Sequence, residues 1–234
     1  MSTFQNISKA AMLKELLWHF NQDRIIQGDY GKRGDDFRGC HVGSVANSVT
    51  RANGYELPLN GHKQQAEYLY GDDSCEWFVK LCEKVFEGLS ITKSKSWVID
   101  SFAAIPEGIP YQLLNSIEIP IKIWVLESTK KTHNNKNVLS ATDSVISALR
   151  SGDGEGLRKA RKTADAASAD AASGDAAYAA YAANAASAAA EPAAVTDAYY
   201  AAAAANAASA TSARVEFYVD LSEFIILQLK EINK

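Results

Sequence analysis

The sequence predicts an all-α protein with a compact helical head followed by a long Ala-rich antiparallel helical hairpin. Apolar side chains recur at three- and four-residue spacing in several segments of residues 1–150, as in amphipathic helices. Beyond that point the composition changes, and 30 of the 54 residues from 160 to 213 are Ala. Because Ala has the highest helix propensity, this segment is expected to be helical on local grounds alone. We therefore expect two domains. Residues 1–150 form a helical head that contains a Gly-rich loop, and residues 151–234 form an Ala-rich helical hairpin.

The first helix of the head is predicted to begin after Ser8, whose side chain is a suitable N-cap. Residues 28–43, rich in glycine and charge, are expected to form an ordered loop. A short helix is expected to begin near 42–49. The apolar residues that define the face of the first helix are Leu13, Leu16, Leu17 and Phe20.

Later segments of the head also have helical spacing. Ser74 is a candidate N-cap for a helix that follows it, and Trp97 and Phe102 mark another. Pro120 is expected to bend or divide the apolar segment 113–126. The face predicted for the helix after Ser74 contains Trp77, Phe78, Leu81, Val85 and Phe86.

The boundary between head and hairpin is placed at 151–156, where Ser, Gly and acidic residues interrupt the helical pattern. A residue other than Ala then recurs at every third position from Asp175 to Ser187. Three residues turn about 300° on an α-helix, so this stripe winds around the axis and forms no broad apolar face. Pro192 suits the first turn of the second helix. That helix ends in an amphipathic stripe of Val215, Tyr218, Val219, Ser222, Ile225, Ile226 and Leu229.

Charge and cysteine content narrow the function classes. A formal net charge of −4 disfavours direct binding to a DNA or RNA backbone and is too small for a DNA mimic. The sequence contains no run of about 18 large apolar residues and no signal-peptide pattern, so no membrane is expected. Three cysteines form an odd, sparse set that suits a reducing compartment, and we expect a cytoplasmic location.

The Gly-rich loop carries the residues best suited to ligand binding. Glycines let backbone N–H groups turn toward an anion, and basic side chains add positive charge, so the loop is a candidate phosphate site. Its spacing matches neither the P-loop nor the dinucleotide-binding glycine motif, and a purely structural tight loop remains the alternative. The candidate ligand-binding residues are Lys32, Arg33, Asp36, Arg38, Gly39, Cys40, His41 and His62.

Cys40 also suggests a nucleophile. Its neighbour His41 is a poor partner because adjacent side chains usually diverge, whereas the fold can bring in His62 as a base. A small Cys beside glycines is more typical of a buried structural residue. The cysteines and histidines lack the paired spacing of a zinc site, so neither a metal nor another cofactor is expected. We favour binding over catalysis and assign no catalytic residue.

The sequence Phe-Arg-Gly-Cys-His-Val-Gly-Ser at 37–44 resembles the Phe-Arg-Gly-Cys-Ala-Val-Gly-Cys motif of a family of bacterial and phage proteins. The order of later signals agrees, through His62, Val-Phe-Glu-Gly-Leu at 85–89, Ala-Ile-Pro-Glu-Gly at 104–108 and Trp-Val-Leu at 124–126. Family members commonly carry an Ala-rich helical tail. The tail is also similar to the Ala-rich region of immunity-protein-like sequences found beside bacterial toxins.

Two positions depart from the family pattern. Ser44 stands where the family has a second Cys, and Asn47 stands where it has a His. Both departures argue against a thiol or zinc role in this member. The resemblance implies a setting rather than an activity, namely a phage or prophage accessory gene or an immunity gene.

These observations together lead us to expect a non-enzymatic binding protein in phage–bacterium conflict. It would sequester a host-defence protein or a phosphate-bearing nucleotide signal. One alternative is an immunity protein that neutralises a cognate toxin through its Ala/Tyr surface, and another is an enzyme that uses Cys40 and His62. Long Ala-faced helices and the C-terminal apolar stripe also predict a homo-oligomer.

Overall fold

A computed structural model confirms the all-α class. The described residues form helices joined by loops, and none of them belongs to a β-strand. Of the hairpin expected at 151–234, residues 172–178 and most of 181–210, including Pro192, lie outside these residues. The structure describes residues 6–107, 109–131, 133–171 and 211–232, together with 179, 180, 182, 183 and 186.

A short 3₁₀ helix at Asp73–Cys75 accompanies the α-helices. None of the helices in the described ranges is long and apolar enough to cross a membrane. The α-helices are α1 (Lys9–Asn21), α2 (His41–Asn53), α3 (His62–Tyr70), α4 (Glu76–Gly88), α5 (Ile91–Ala104), α6 (Tyr111–Ser116), α7 (Glu118–Lys130), α8 (Lys136–Ser151), α9 (Gly154–Ala169) and α10 (Thr211–Glu231).

The chain divides into two compact units. The first comprises Met1–Ile117 with Val215–Lys234, and the second comprises Glu118–Arg214. The boundary expected at residue 150 falls inside the second unit, where α8 and α9 pack against each other. The polar segment there is a tight turn, because the Asp153 side chain accepts a 3.0 Å hydrogen bond from the Glu155 N–H and caps α9.

The core of the first unit forms where α1 packs against α2 and α5, and α4 packs against α2, α3 and α5. Ser8 caps α1 as predicted, since its hydroxyl accepts a hydrogen bond from the Ala11 N–H at 3.2 Å. Helix α10 buries one side chain per turn within this unit. Those side chains are Tyr218, Leu221, Ile225 and Leu229. Three of these residues belong to the seven predicted for the C-terminal stripe, and Leu221 was not among them.

The loop between α1 and α2 is ordered, as the sequence predicts. Gly39 donates its N–H to the Arg24 carbonyl, and its own carbonyl accepts from the Ile26 N–H, both at 2.9 Å. Phe37 is buried beneath this loop. A Cβ on Gly43, in the first turn of α2, would lie 2.0 Å from the Tyr30 carbonyl oxygen. Glycine therefore permits the close approach that seats the loop on α2.

Two local predictions need correction. Ser74 does not cap α4, because Asp72 caps the 3₁₀ helix before it and accepts from the Ser74 N–H at 2.7 Å. The Ser74 hydroxyl instead accepts a 2.8 Å hydrogen bond from the Asn115 side chain. The apolar segment 113–126 is divided at Ile117, and Pro120 lies in the first turn of α7, where its missing N–H costs no helical hydrogen bond.

Candidate functional site

A pocket of about 370 Å³ lies among α1, α2 and the loop that joins them. This volume is at the lower end of the range for small-molecule sites, about 300–1,000 Å³. Two exposed carboxylates, those of Asp35 and Glu56, line it beside three guanidinium groups. We call it the arginine pocket, and the residues that the argument uses are Trp18, Arg24, Arg33, Asn47, Thr50 and Arg51.

Helix α2 supplies one wall of the arginine pocket. Thr50 and Arg51 follow Asn47 by three and four residues. This spacing places all three side chains on one face of the helix. The Arg51 guanidinium carbon lies 3.6 Å from the centre of the Trp18 ring, and its Nε donates to Glu15 Oε2 at 2.8 Å. Its two terminal nitrogens make no hydrogen bond to any described residue, so they remain available to a ligand.

The other two arginines come from the loop. Arg24 Nη1 donates to the Phe37 carbonyl at 3.2 Å, and its guanidinium carbon lies 4.8 Å from the Trp18 ring centre. Arg33 Nη1 donates to Thr50 Oγ1 at 3.2 Å, and its Nη2 donates to the Leu57 carbonyl. Because a guanidinium has five N–H donors, these bonds fix its position and leave donors for an anion.

Asn47 is the buried neutral polar residue of the arginine pocket. It is 7% exposed, and its side-chain amide has no hydrogen-bond partner among the described residues. The amide atoms themselves are not sealed from solvent, so they are accessible within the pocket. The Asn47 amide is therefore suited to a partner that enters the pocket.

His19 lies next to Trp18 of the arginine pocket, and its burial and the positive charges of the pocket arginines affect its pKa. Its ring centre is 5.1 Å from that of Trp18 and 5.3 Å from that of Phe37, and neither ring nitrogen has a partner in the described structure. Burial lowers its pKa to about 4, and the positive charges of Arg51 and Arg24 act in the same direction. The side of the pocket next to His19 thus has a positive field.

A second polar group, which we call the Glu83 cluster, consists of Tyr30, Cys40, His62 and Glu83. Glu83 Oε2 lies 2.5 Å from His62 Nε2, and its Oε1 accepts from the Cys40 thiol at 3.6 Å. The Tyr30 ring packs edge-on against the His62 ring, with the ring centres 6.2 Å apart. One partly buried carboxylate therefore binds two side chains from separate parts of the first unit, and Tyr30 packs beside them.

Electrostatics in the Glu83 cluster make the thiol inert. Burial, together with the negative charge of Glu83, raises the pKa of Cys40 to about 12. Burial also acts to raise the pKa of Glu83, but the interaction with His62 opposes it, so that pKa is lowered. A thiol with this pKa is protonated at neutral pH and is a weak nucleophile.

Several predicted ligand-binding residues lie outside both groups. His41 is buried, with its ring centre 5.9 Å from that of Phe102, and burial lowers its pKa to about 4. Arg38 is exposed and lies 3.4 Å from the Asp23 carboxylate. Lys32 and Asp36 are exposed on the loop.

The backbone of the loop is largely engaged within the fold. The Gly39 N–H donates to the Arg24 carbonyl at 2.9 Å, and the Cys40 N–H donates to the Asp29 carbonyl at 2.6 Å. Of the eight predicted residues, the structure brings Arg33 to the arginine pocket and brings Cys40 and His62 to Glu83.

Sequence reasoning missed most of the arginine pocket. Trp18, Arg24 and Arg51 belong to no motif, and Asn47 was singled out only as a departure from the family pattern. The available signal was the spacing of Asn47, Thr50 and Arg51, which places these three polar residues on one face of a helix.

No group of three or more His, Cys, Asp or Glu within the described ranges is arranged to hold a metal ion. No family model, curated protein or solved structure matches this chain.

Proposed function

We propose that this protein is a non-enzymatic binding protein that sequesters a phosphate-bearing nucleotide signal in the arginine pocket. The observation that carries the proposal is the convergence of Arg24, Arg33 and Arg51 on one pocket of about 370 Å³. Arg33 was among the ligand-binding residues predicted from the sequence.

Guanidinium groups suit this role because their planar N–H pairs match phosphate oxygens. Protein acceptors hold each of the three groups: the Phe37 carbonyl holds Arg24, Thr50 holds Arg33, and Glu15 holds Arg51. Donors that are fixed in advance lose little conformational freedom on binding, which favours affinity.

The family resemblance supports the biological part of the proposal. An accessory protein of a phage or prophage gains an advantage by withdrawing a nucleotide signal in the bacterial cytoplasm, and binding alone is sufficient for that effect. Sequestration of a host-defence protein, neutralisation of a cognate toxin and catalysis by Cys40 with His62 are the alternatives that the experiment must separate.

The test is isothermal titration calorimetry with the ribonucleoside 5′-monophosphates, applied to the wild type and two loop variants. Arg33→Ala removes a pocket donor, and Arg38→Ala removes an exposed arginine of the same loop that pairs with Asp23. We expect Arg33→Ala to weaken nucleotide binding by about tenfold or more, as for a lost charge-assisted hydrogen bond. Arg38→Ala is expected to leave the affinity within about twofold.

Equal losses in both variants would show that binding depends on the general charge of the loop and would contradict the pocket. If none of the nucleotides binds, the nucleotide proposal is wrong, and the alternatives in which this protein binds a protein partner are favoured. Because Arg33 also holds the Leu57 carbonyl, a thermal melt of each variant is the control for folding. Arg51→Ala provides a second pocket variant. It also removes the ion pair between Arg51 and Glu15.

A further inference from the structure

Asn47 distinguishes the arginine pocket from a simple anion site. We propose that Asn47 is its specificity-determining residue, and that the ligand presents to it the edge of a nucleobase with one hydrogen-bond donor and one acceptor. This inference rests on the proposed function, because it assumes that the guanidinium groups hold the phosphate of the same ligand.

The first argument is the state of the Asn47 side chain. A carboxamide carries an acceptor oxygen and two N–H donors. The amide atoms of Asn47 are not sealed from solvent, so all of them can be reached from the pocket. Asn47 is 7% exposed and lines the pocket without a hydrogen bond to any described residue. Its neighbour on α2 offers a contrast, since Thr50 donates to the Ala46 carbonyl and accepts from Arg33.

The second argument is position along α2. Asn47 precedes Arg51 by four residues, so their backbones are about 6 Å apart along the helix axis. Both side chains line the same pocket. One ligand that enters the pocket can therefore contact both the Asn47 amide and the Arg51 guanidinium.

The third argument is the chemistry of the carboxamide. Its oxygen and N–H₂ lie side by side in one plane, which matches the paired donor and acceptor on a base edge, as in Asn recognition of adenine. A ribose diol also offers a donor and an acceptor, but its two oxygens rotate independently. The planar match favours the base edge, and the experiment separates the two sources.

The experiment compares three probes by calorimetry: the ribonucleoside 5′-monophosphates, ribose 5-phosphate and inorganic phosphate. In the wild type, the best nucleotide is expected to bind on the order of tenfold tighter than ribose 5-phosphate, as for a bidentate base contact. Asn47→Leu keeps the side-chain size and removes both hydrogen-bonding groups. We expect it to abolish this preference while ribose 5-phosphate affinity changes by less than about twofold.

Ser48→Ala is the matched control, because Ser48 is the next residue of α2, is buried, and has a hydroxyl without a partner in the described structure. We expect it to preserve the preference. Asn47→Ala, with a thermal melt, guards against a failure of Asn47→Leu to fold.

Three outcomes overturn the inference. Equal binding of nucleotide and ribose 5-phosphate by the wild type would show that no base is recognised. A preference that survives in both Asn47 variants would assign recognition to another residue. If ribose 5-phosphate loses affinity as much as the nucleotide does, the ribose is the group that Asn47 contacts. In all three cases phosphate binding persists, so the proposed function stands; loss of all phosphate binding in the wild type removes both.

Discussion

The arginine pocket and the Glu83 cluster belong to the same unit and are both rich in polar side chains, but they differ in how completely those side chains are paired. Glu83 binds His62 and Cys40 within the protein. Arg51 retains two terminal nitrogens without a partner among the described residues, and Asn47 retains its whole amide. Unused hydrogen-bonding capacity, rather than the presence of reactive residue types, is therefore what marks a place for a ligand.

The two groups of side chains also differ in whether they contribute to the stability of the fold or to the affinity for a ligand. A satisfied buried network stabilises the fold, and removal of its centre leaves several groups without partners. A preformed but incomplete set of donors contributes little to folding and gains its partners on binding. Changes in the Glu83 cluster should therefore alter stability, and changes in the arginine pocket should alter affinity.

The largest expected effect is on stability in Glu83→Ala. The variant removes the shared partner of His62 and Cys40, and loss of one partner of a buried pair costs about 3 kcal/mol or more. Urea denaturation measures the change in the free energy of unfolding. The matched control is Glu76→Ala on the same helix, which breaks only an i,i+4 ion pair and should cost less than about 0.5 kcal/mol. Equal losses in the two variants would contradict a central role for Glu83.

Acid is expected to destabilise the fold through His19 and His41. Both have a folded-state pKa of about 4, below the 6.5 of an unfolded histidine, because burial disfavours the charged ring. The unfolded chain therefore binds more protons between pH 6.5 and 4, and stability falls as the pH falls through that window. Each histidine should contribute a loss of about 2 kcal/mol between pH 7 and pH 5.

Two variants measure how much of the acid-induced loss of stability comes from His41 and how much from His19. His41→Phe keeps an aromatic ring beside Phe102, and His19→Phe keeps one beside Trp18, so each should reduce the acid loss by its own share. Inorganic phosphate bound in the arginine pocket should raise the His19 pKa and weaken only the His19 share, because it offsets the charges of Arg51 and Arg24. A stability curve that is flat from pH 7 to pH 5 would contradict the burial of both rings in uncharged form.

Cys40 provides a smaller effect. Its thiol donates to Glu83 at 3.6 Å, a long and weak contact, so Cys40→Ala should cost about 1 kcal/mol in unfolding free energy. Native alkylation by iodoacetamide should be slow near pH 8, because the pKa is about 12, and should become fast in urea. Mass spectrometry of the peptide locates the label. Rapid labelling of Cys40 in the native protein would restore the enzyme alternative.

Local helix signals were sufficient to predict much of the fold. Ser8 caps α1, and Tyr218, Ile225 and Leu229 of the predicted C-terminal stripe are buried, because both features depend on residues within one or two helical turns. The cap at Ser74 was wrong, since Asp72 competes for the same turn and begins a 3₁₀ helix. The division at Ile117 was expected near Pro120, but proline is tolerated in the first turn of a helix.

The candidate site was predictable only in part. Arg33 was identified because it lies in a Gly-rich loop, a feature visible in the sequence. Trp18 and Arg51 are 33 positions apart and meet only when α1 packs against α2, so no local pattern indicates their stacking. Asn47 is a typical surface residue type, and its burial follows from the neighbouring helices rather than from its own sequence context.

The smallest expected effect tests whether the arginine pocket recognises shape as well as charge. Arg51→Lys keeps the positive charge but removes the planar group that lies 3.6 Å from the Trp18 ring centre. Loss of the planar guanidinium that stacks on Trp18 should cost about 0.5–1 kcal/mol in binding free energy. Nucleotide affinity measured by calorimetry should therefore weaken by about threefold. Lys95→Arg is the control, because Lys95 pairs with Asp23 outside the pocket and the change should leave affinity as in the wild type. If Arg51→Lys binds nucleotide as tightly as the wild type, the pocket acts through point charges alone, and the contrast with the Glu83 cluster would rest on Asn47 rather than on the geometry of the guanidinium groups.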